Sequence, residues 1–127
     1  MPTGSHFEIR RIYDEDQGHG YRVLIDRLWP RGVSKEKAAI DEWAKDVAPS
    51  DALRRWYGHE PEKFVEFAGR YRTELAASPA SEAVTRLRAT SKQQPVVLLT
   101  ATRDIEHSGA AVLLAALARR RSGSSRG

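Results

Sequence analysis

Directly after the apolar run Val23, Leu24 and Ile25, the chain sets Asp26, Arg27, Trp29 and Arg31 within six residues. Each guanidinium is a planar fork suited to a carboxylate or phosphate. Asp26 can orient such a fork or serve as a base, and the indole of Trp29 offers a stacking face. The plainer reading, stronger for Asp26 taken alone, is an Asp–Arg pair that fixes a turn. A second constellation is Thr100, Arg103, His107 and Ser108, spread over a strand end, a loop and a helix start. Free N–H groups and the positive dipole end of such a helix can hold a phosphate, sulfate or carboxylate. Arg103 would add charge there and His107 a proton, while Asp104 or Ser108 would do no more than cap the helix on the plainer reading.

A third group is weaker. Trp56 and His59 flank Gly58, and His59 is expected to line the same cleft as Trp56 and Tyr57 unless that aromatic stripe is plain core. The HEPEKF segment has no second histidine four residues on, and Pro61 interrupts it, so no metal site is expected. Arg70, Tyr71 and Glu74 belong first to a helix, and Arg70 matters only if it turns toward the strand ends. Arg54, Arg55 and Arg72 have acids around them and read as a mixed, solvated surface.

The 127 residues suffice for one domain. The absence of cysteine excludes a disulfide, a thiolate nucleophile and a cysteine-based zinc site. Of the 21 basic residues, four lie in the final RRRSGSSRG without an acid, which leaves a body of balanced charge. The net charge of +4 therefore reflects a tail, read as disordered over 119–127, more than a nucleic-acid surface. Neither a membrane span nor a secretory pattern is visible, so the cytoplasm is the expected compartment.

Phe7, Ile9 and Ile12 predict a first strand, followed by an acidic, glycine-rich loop over Asp14–Gly20 that lacks calcium-loop spacing. Its length predicts an antiparallel return to a second strand, Tyr21–Arg27, because seven residues are short for a parallel crossover. Ser34 would cap a helical turn over 35–38, and Ile40–Ala44 reads as a short strand bearing Trp43. Ser50 caps a helix closed by Gly58, and Pro61 opens the next, whose Phe64, Phe67, Ala68, Tyr71 and Leu75 share one face. Glu66, Arg70 and Glu74 can pair along its side. Ser78-Pro79 ends that helix or begins one through Val84 and Leu87. Pro95–Thr100 is a strand covered on both faces, and Ser108–Arg120 is a helix apolar nearly all round. The expected fold is α/β: a single compact domain over 6–118, its small mixed, largely parallel sheet flanked by helices.

The segments VLIDRLWPRGVSKEKA, WAKDVAPSDALRRWYGHEPEKFVEFAGRYRTEL and VVLLTATRDIEHSGAAVL resemble the YeaO-like family of bacterial proteins, within a larger group of domains of unknown function. The resemblance runs from about Phe7 to Ala118 and implies a compact α/β domain of uncharacterised activity. Some members carry a transcriptional-regulator label, yet no winged-helix or recognition-helix pattern is visible. In more distant relatives a cysteine ends the strand corresponding to Val96–Thr100, and a Cys-His-Arg cluster opens the last helix. Here Thr100 stands at the first place and Ser108, Gly109 and Ala110 at the second, so thiol chemistry is absent.

The leading expectation is a pocket for a small anionic or planar ligand (a nucleotide, nucleobase or phosphorylated metabolite) at the C-terminal ends of the strands Tyr21–Arg27 and Pro95–Thr100. Whether a reaction occurs is left open; Asp26 and His107 are the acid/base candidates, and no nucleophile stands out. No cofactor is expected. The rival is a nucleic-acid-binding or regulatory protein using the basic tail and surface arginines, and a structural partner protein is a third reading. The oligomeric state is open.

Overall fold

The computed structural model describes residues 7–13, 20–34, 36 and 39–118. Four strands, β1 (Phe7–Arg11), β2 (Tyr21–Leu24), β3 (Glu42–Trp43) and β4 (Val96–Thr100), form one sheet in the spatial order β1-β4-β2-β3. Every pairing among them is parallel. The continuous apolar run VVLLT takes the inner place, where all five of its residues are buried. In register, Val96 lies beside both Phe7 and Tyr21, and Leu98 lies between Ile9 and Val23.

The path from β1 to β2 corrects the expected antiparallel return. Both strands run parallel to β4, which separates them. A parallel connection needs a dozen residues when a helix must pack on the sheet. A bare extended chain advances about 3.3 Å per residue, so the stretch 12–20 is long enough to retrace a short strand. Most of the expected acidic loop, 14–19, lies outside the described residues. Its last residue, Gly20, has φ 134°, and a Cβ there would sit 2.3 Å from the Pro95 carbonyl oxygen. Only glycine fits, and the next N–H, that of Tyr21, donates to the same oxygen at 2.8 Å.

β2 is shorter than the expected Tyr21–Arg27. The Ile25 N–H still reaches the Leu99 carbonyl at 3.1 Å, but the Asp26 carbonyl accepts from Trp43 Nε1 at 2.7 Å. A side chain thus takes a place that a strand ladder would fill. The strand expected over Ile40–Ala44 contracts to Glu42–Trp43. The turn expected at 35–38 falls mostly outside the described residues.

Alternation along the strands divides the core into two layers. Val23, Ile25, Val96 and Leu98 belong to the cluster that includes Phe67, Tyr71, Leu87 and Leu113 from the helices. Leu24, Val97 and Leu99 join Ile12 in a second cluster, against which Trp29, Val33, Ile40 and Trp43 pack. The two indoles meet edge to face at 5.3 Å. The four α-helices among the described residues are α1 (Asp51–Tyr57), α2 (Phe64–Leu75), α3 (Ala80–Ser91) and α4 (Gly109–Ala118).

The helix signals act as their chemistry demands. Ser50 Oγ accepts from the Leu53 N–H at 3.2 Å, and Gly58 closes α1 in a left-handed conformation. Pro61 opens a 3₁₀ turn that leads into α2, whose Phe67, Ala68, Tyr71 and Leu75 are buried. Glu66 pairs with Arg70 as expected. Glu74 instead leaves the helix side for Ser50, accepting from its N–H at 2.8 Å and its hydroxyl at 2.6 Å. The last helix begins at Gly109 with Ser108 before it, and residues 119–127 lie outside the described residues.

Candidate functional site

Where β2 and β4 end side by side, a cleft of about 370 Å³ opens between the 25–30 segment, the 48–49 linker, α1 and the start of α4. Asp26 sits at the seam between the strands. Its Oδ1 accepts from Thr100 Oγ1 at 2.7 Å and its Oδ2 from the Ala101 N–H at 2.8 Å. Burial pushes its carboxyl above the usual carboxylate range. The Ala101 N–H, the Thr100 hydroxyl and the charge of Arg54 pull the other way and only partly offset that burial.

Arg27 does not pair with Asp26. Its Nε donates to the Pro49 carbonyl at 3.2 Å and an Nη to that of Ala48 at 3.3 Å, with Asp51 Oδ1 3.8 Å away. These bonds hold the strand end to the linker that leads into α1. Two of the five guanidinium N–H donors are engaged with those carbonyls.

Of the residues expected from sequence, Asp26, Arg27, Trp29, His59, Tyr71, Thr100 and Ser108 line this cleft. Several have structural duties. Trp29 Nε1 donates to the Val33 carbonyl at 2.5 Å. Tyr71 is almost wholly buried, its hydroxyl donates to the Val47 carbonyl, and burial pushes its pKa far up. Ser108 Oγ donates to the Ile105 carbonyl at 2.7 Å and accepts from the Ala110 N–H at 3.1 Å. The start of α4 is therefore capped by the chain's own serine, and the Ala111 N–H goes to the Ser108 carbonyl at 3.2 Å. Asp104 likewise accepts from the His107 N–H at 3.3 Å. His59 is exposed and left-handed at φ 59°, just after Gly58.

Five expected residues do not line it: Arg31, Trp56, Arg70, Arg103 and His107. Arg31 is exposed, and its carbonyl accepts from the Tyr13 hydroxyl at 3.1 Å. Arg70 lies 4.3 Å over the Trp56 ring and is bound to Glu66 through Nε at 3.0 Å. Arg103 is exposed. The His107 ring turns to Asp104, Nδ1 to Oδ2 at 2.9 Å, and its carbonyl accepts from the Tyr57 hydroxyl at 2.6 Å.

Sequence reasoning missed Arg54, which lines the cleft while its Nη1 donates to Asp51 Oδ1 at 3.2 Å. A signal existed: Arg54 stands three residues before the buried Tyr57 and so borders the covered face of α1. Among the described residues no cluster of three or more His, Cys, Asp or Glu could hold a metal, and no helix is long and apolar enough to cross a membrane.

An α/β domain with a parallel sheet, and a cleft at the carboxyl ends of its two inner strands, is the class these features define. Residues 6–125 match the family DUF488-N3i, described as the inactive DUF488-N3 subclade. The chain is 46% identical over 114 residues to the uncharacterized protein Rv3073c of Mycobacterium tuberculosis, covering 89% of this chain and 94% of that one. The uncharacterized protein Mb3100c of Mycobacterium bovis matches equally. The uncharacterized protein YeaO of Escherichia coli is 38% identical over 109 residues, covering 85% of this chain and 93% of its own. The chain belongs to the YeaO-like DUF488 family. No solved structure matches it.

Proposed function

We propose that this chain is a cytoplasmic protein that binds a small anionic or planar ligand in the cleft, of the nucleotide, nucleobase or phosphorylated-metabolite class, without turning it over. The observation that carries this reading is the charge of the lining: the guanidiniums of Arg27 and Arg54 border a cleft in which Asp26 is the one carboxylate among the lining residues. A volume of about 370 Å³ falls at the small end of ligand pockets, which suits a metabolite better than a polymer. Binding without turnover accords with a carboxylate already committed to Thr100 and Ala101, with a His107 ring held by Asp104 outside the cleft, and with the inactive description of the matching family.

The test is a thermal-shift screen of wild type and Arg54→Ala against nucleotides, nucleobases, phosphorylated metabolites and short oligonucleotides. A small molecule at 100 times its Kd would stabilise the wild type by about 2.7 kcal/mol and the variant by much less. Stabilisation by oligonucleotides alone, abolished by salt and by removal of residues 119–127, would replace this reading with nucleic-acid binding.

A further inference from the structure

Asp51 holds the position an anionic ligand would want. Its Oδ1 lies 3.2 Å from Arg54 Nη1 and 3.8 Å from Arg27 Nε, so one carboxylate oxygen bridges two guanidiniums that line the cleft. Asp51 itself is not among the lining residues, and its side chain is 57% exposed. Arg27 is anchored independently by the carbonyls of Ala48 and Pro49. Arg54 has no such second anchor among the described residues: Asp51 is its hydrogen-bond partner. An exposed ion pair of this kind is weakly held, so both side chains can part at little cost. The start of α4, by contrast, is occupied by Ser108, which removes the competing place for an anion.

We infer that the anionic group of the ligand, a phosphate or carboxylate, binds between Arg27 and Arg54 by displacing Asp51, which serves as an internal competitor that sets the affinity of the cleft. This rests on the ligand-binding reading above and adds to it the anchoring arginine and the chemistry of the ligand's charged end. An oxyanion with two or more oxygens matches the two forks better than the single carboxylate oxygen that now spans them. Arg54 turns to the ligand while Arg27, still tied to the linker, keeps its place.

Titration calorimetry with inorganic phosphate and, separately, acetate tests this on wild type, Asp51→Asn, Arg54→Gln and the double variant, with circular dichroism confirming that each is folded. Asp51→Asn removes the competitor and its negative charge, and is expected to tighten anion binding by about threefold to tenfold. Arg54→Gln should weaken it by at least as much, and in the double variant the gain from Asp51→Asn should vanish. A preference for phosphate over acetate would assign the charged end to a phosphate, and the reverse to a carboxylate. If Asp51→Asn binds no tighter than wild type, or gains equally without Arg54, the competitor idea is overturned while the cleft reading stands. If neither anion binds any of the four proteins, the inference is overturned, and the thermal-shift screen alone decides the cleft reading. Asp51→Ser, which keeps a residue suited to a helix start, repeats the test should the asparagine variant fail to fold.

Discussion

Replacing Asp26 by alanine and by asparagine separates what its shape does from what its charge does. Alanine abandons two donors, the Thr100 hydroxyl and the Ala101 N–H, now held at 2.7 and 2.8 Å. Each buried donor left without a partner costs about 1–3 kcal/mol, and removing a poorly solvated carboxylate gives part of that back. The net loss at neutral pH should be about 2 kcal/mol. Asparagine keeps an oxygen for the Ala101 N–H and presents its amide to the Thr100 oxygen, so it should stay within about 1 kcal/mol of wild type. The two variants should also respond differently to pH. Because burial raises the Asp26 carboxyl pKa in the folded state, the folded protein favours the protonated form more than the unfolded chain does. Its contribution is fully present below the unfolded value of about 3.9 and is lost as pH rises through the folded value. Asparagine has no such loss, so its stability relative to wild type should improve from pH 4 to pH 7.5. A tenfold displacement of the proton equilibrium is worth about 1.4 kcal/mol. Urea unfolding of all three proteins at both pH values, followed by far-ultraviolet circular dichroism with matched m-values, measures this directly. The reasoning is refuted if asparagine is as damaging as alanine at pH 7.5, or if its difference from wild type does not move with pH.

Two further outcomes concern the frame around the cleft. Ser50→Ala removes the cap of α1 and both hydroxyl bonds, and should cost about 1–2 kcal/mol by chemical denaturation; combined with Glu74→Ala it should show coupling of at least about 0.5 kcal/mol, and strict additivity would deny the Ser50–Glu74 bond. At Gly109 a Cβ would meet Pro49 Cγ at 3.2 Å and Tyr71 Cε2 at 3.3 Å, so Gly109→Val should destabilise by about 1–3 kcal/mol through overpacking, and an unchanged urea midpoint would show that the contact gives way freely.

What could be read from the residues was what local chemistry decides. The run VVLLT has no polar side to offer water until its last residue, so it had to be an inner strand, and Ser50 and Gly58 mark the ends of α1 by their capping chemistry alone. Strand order was not readable, because the pairing of Phe7 with Val96 depends on contacts far apart in the chain. The plainer reading, an Asp–Arg pair fixing the turn, is not met by Arg27 for a related reason. Each found a partner from a distant segment that the local sequence does not reveal, Thr100 and Ala101 for Asp26 and the 48–49 carbonyls for Arg27. Arg54 was hidden because a charged residue in a mixed-charge helix looks solvated unless its distance from the buried Tyr57 is weighed.

The place of β4 has a consequence for how the chain is made. β1 and β2 have no hydrogen-bonded edge in common; each pairs with β4, the last strand among the described residues. During synthesis β1 and one edge of β2 are therefore without their partner while some seventy intervening residues are added before Val96–Thr100, although β3 is available to the other edge of β2 much earlier. Contacts this remote close slowly, and open strand edges invite association with other chains. β2 and β3 can pair early, but β1 cannot join the sheet before β4 is made, and the seam at Asp26 and Thr100 that floors the cleft likewise needs that late strand.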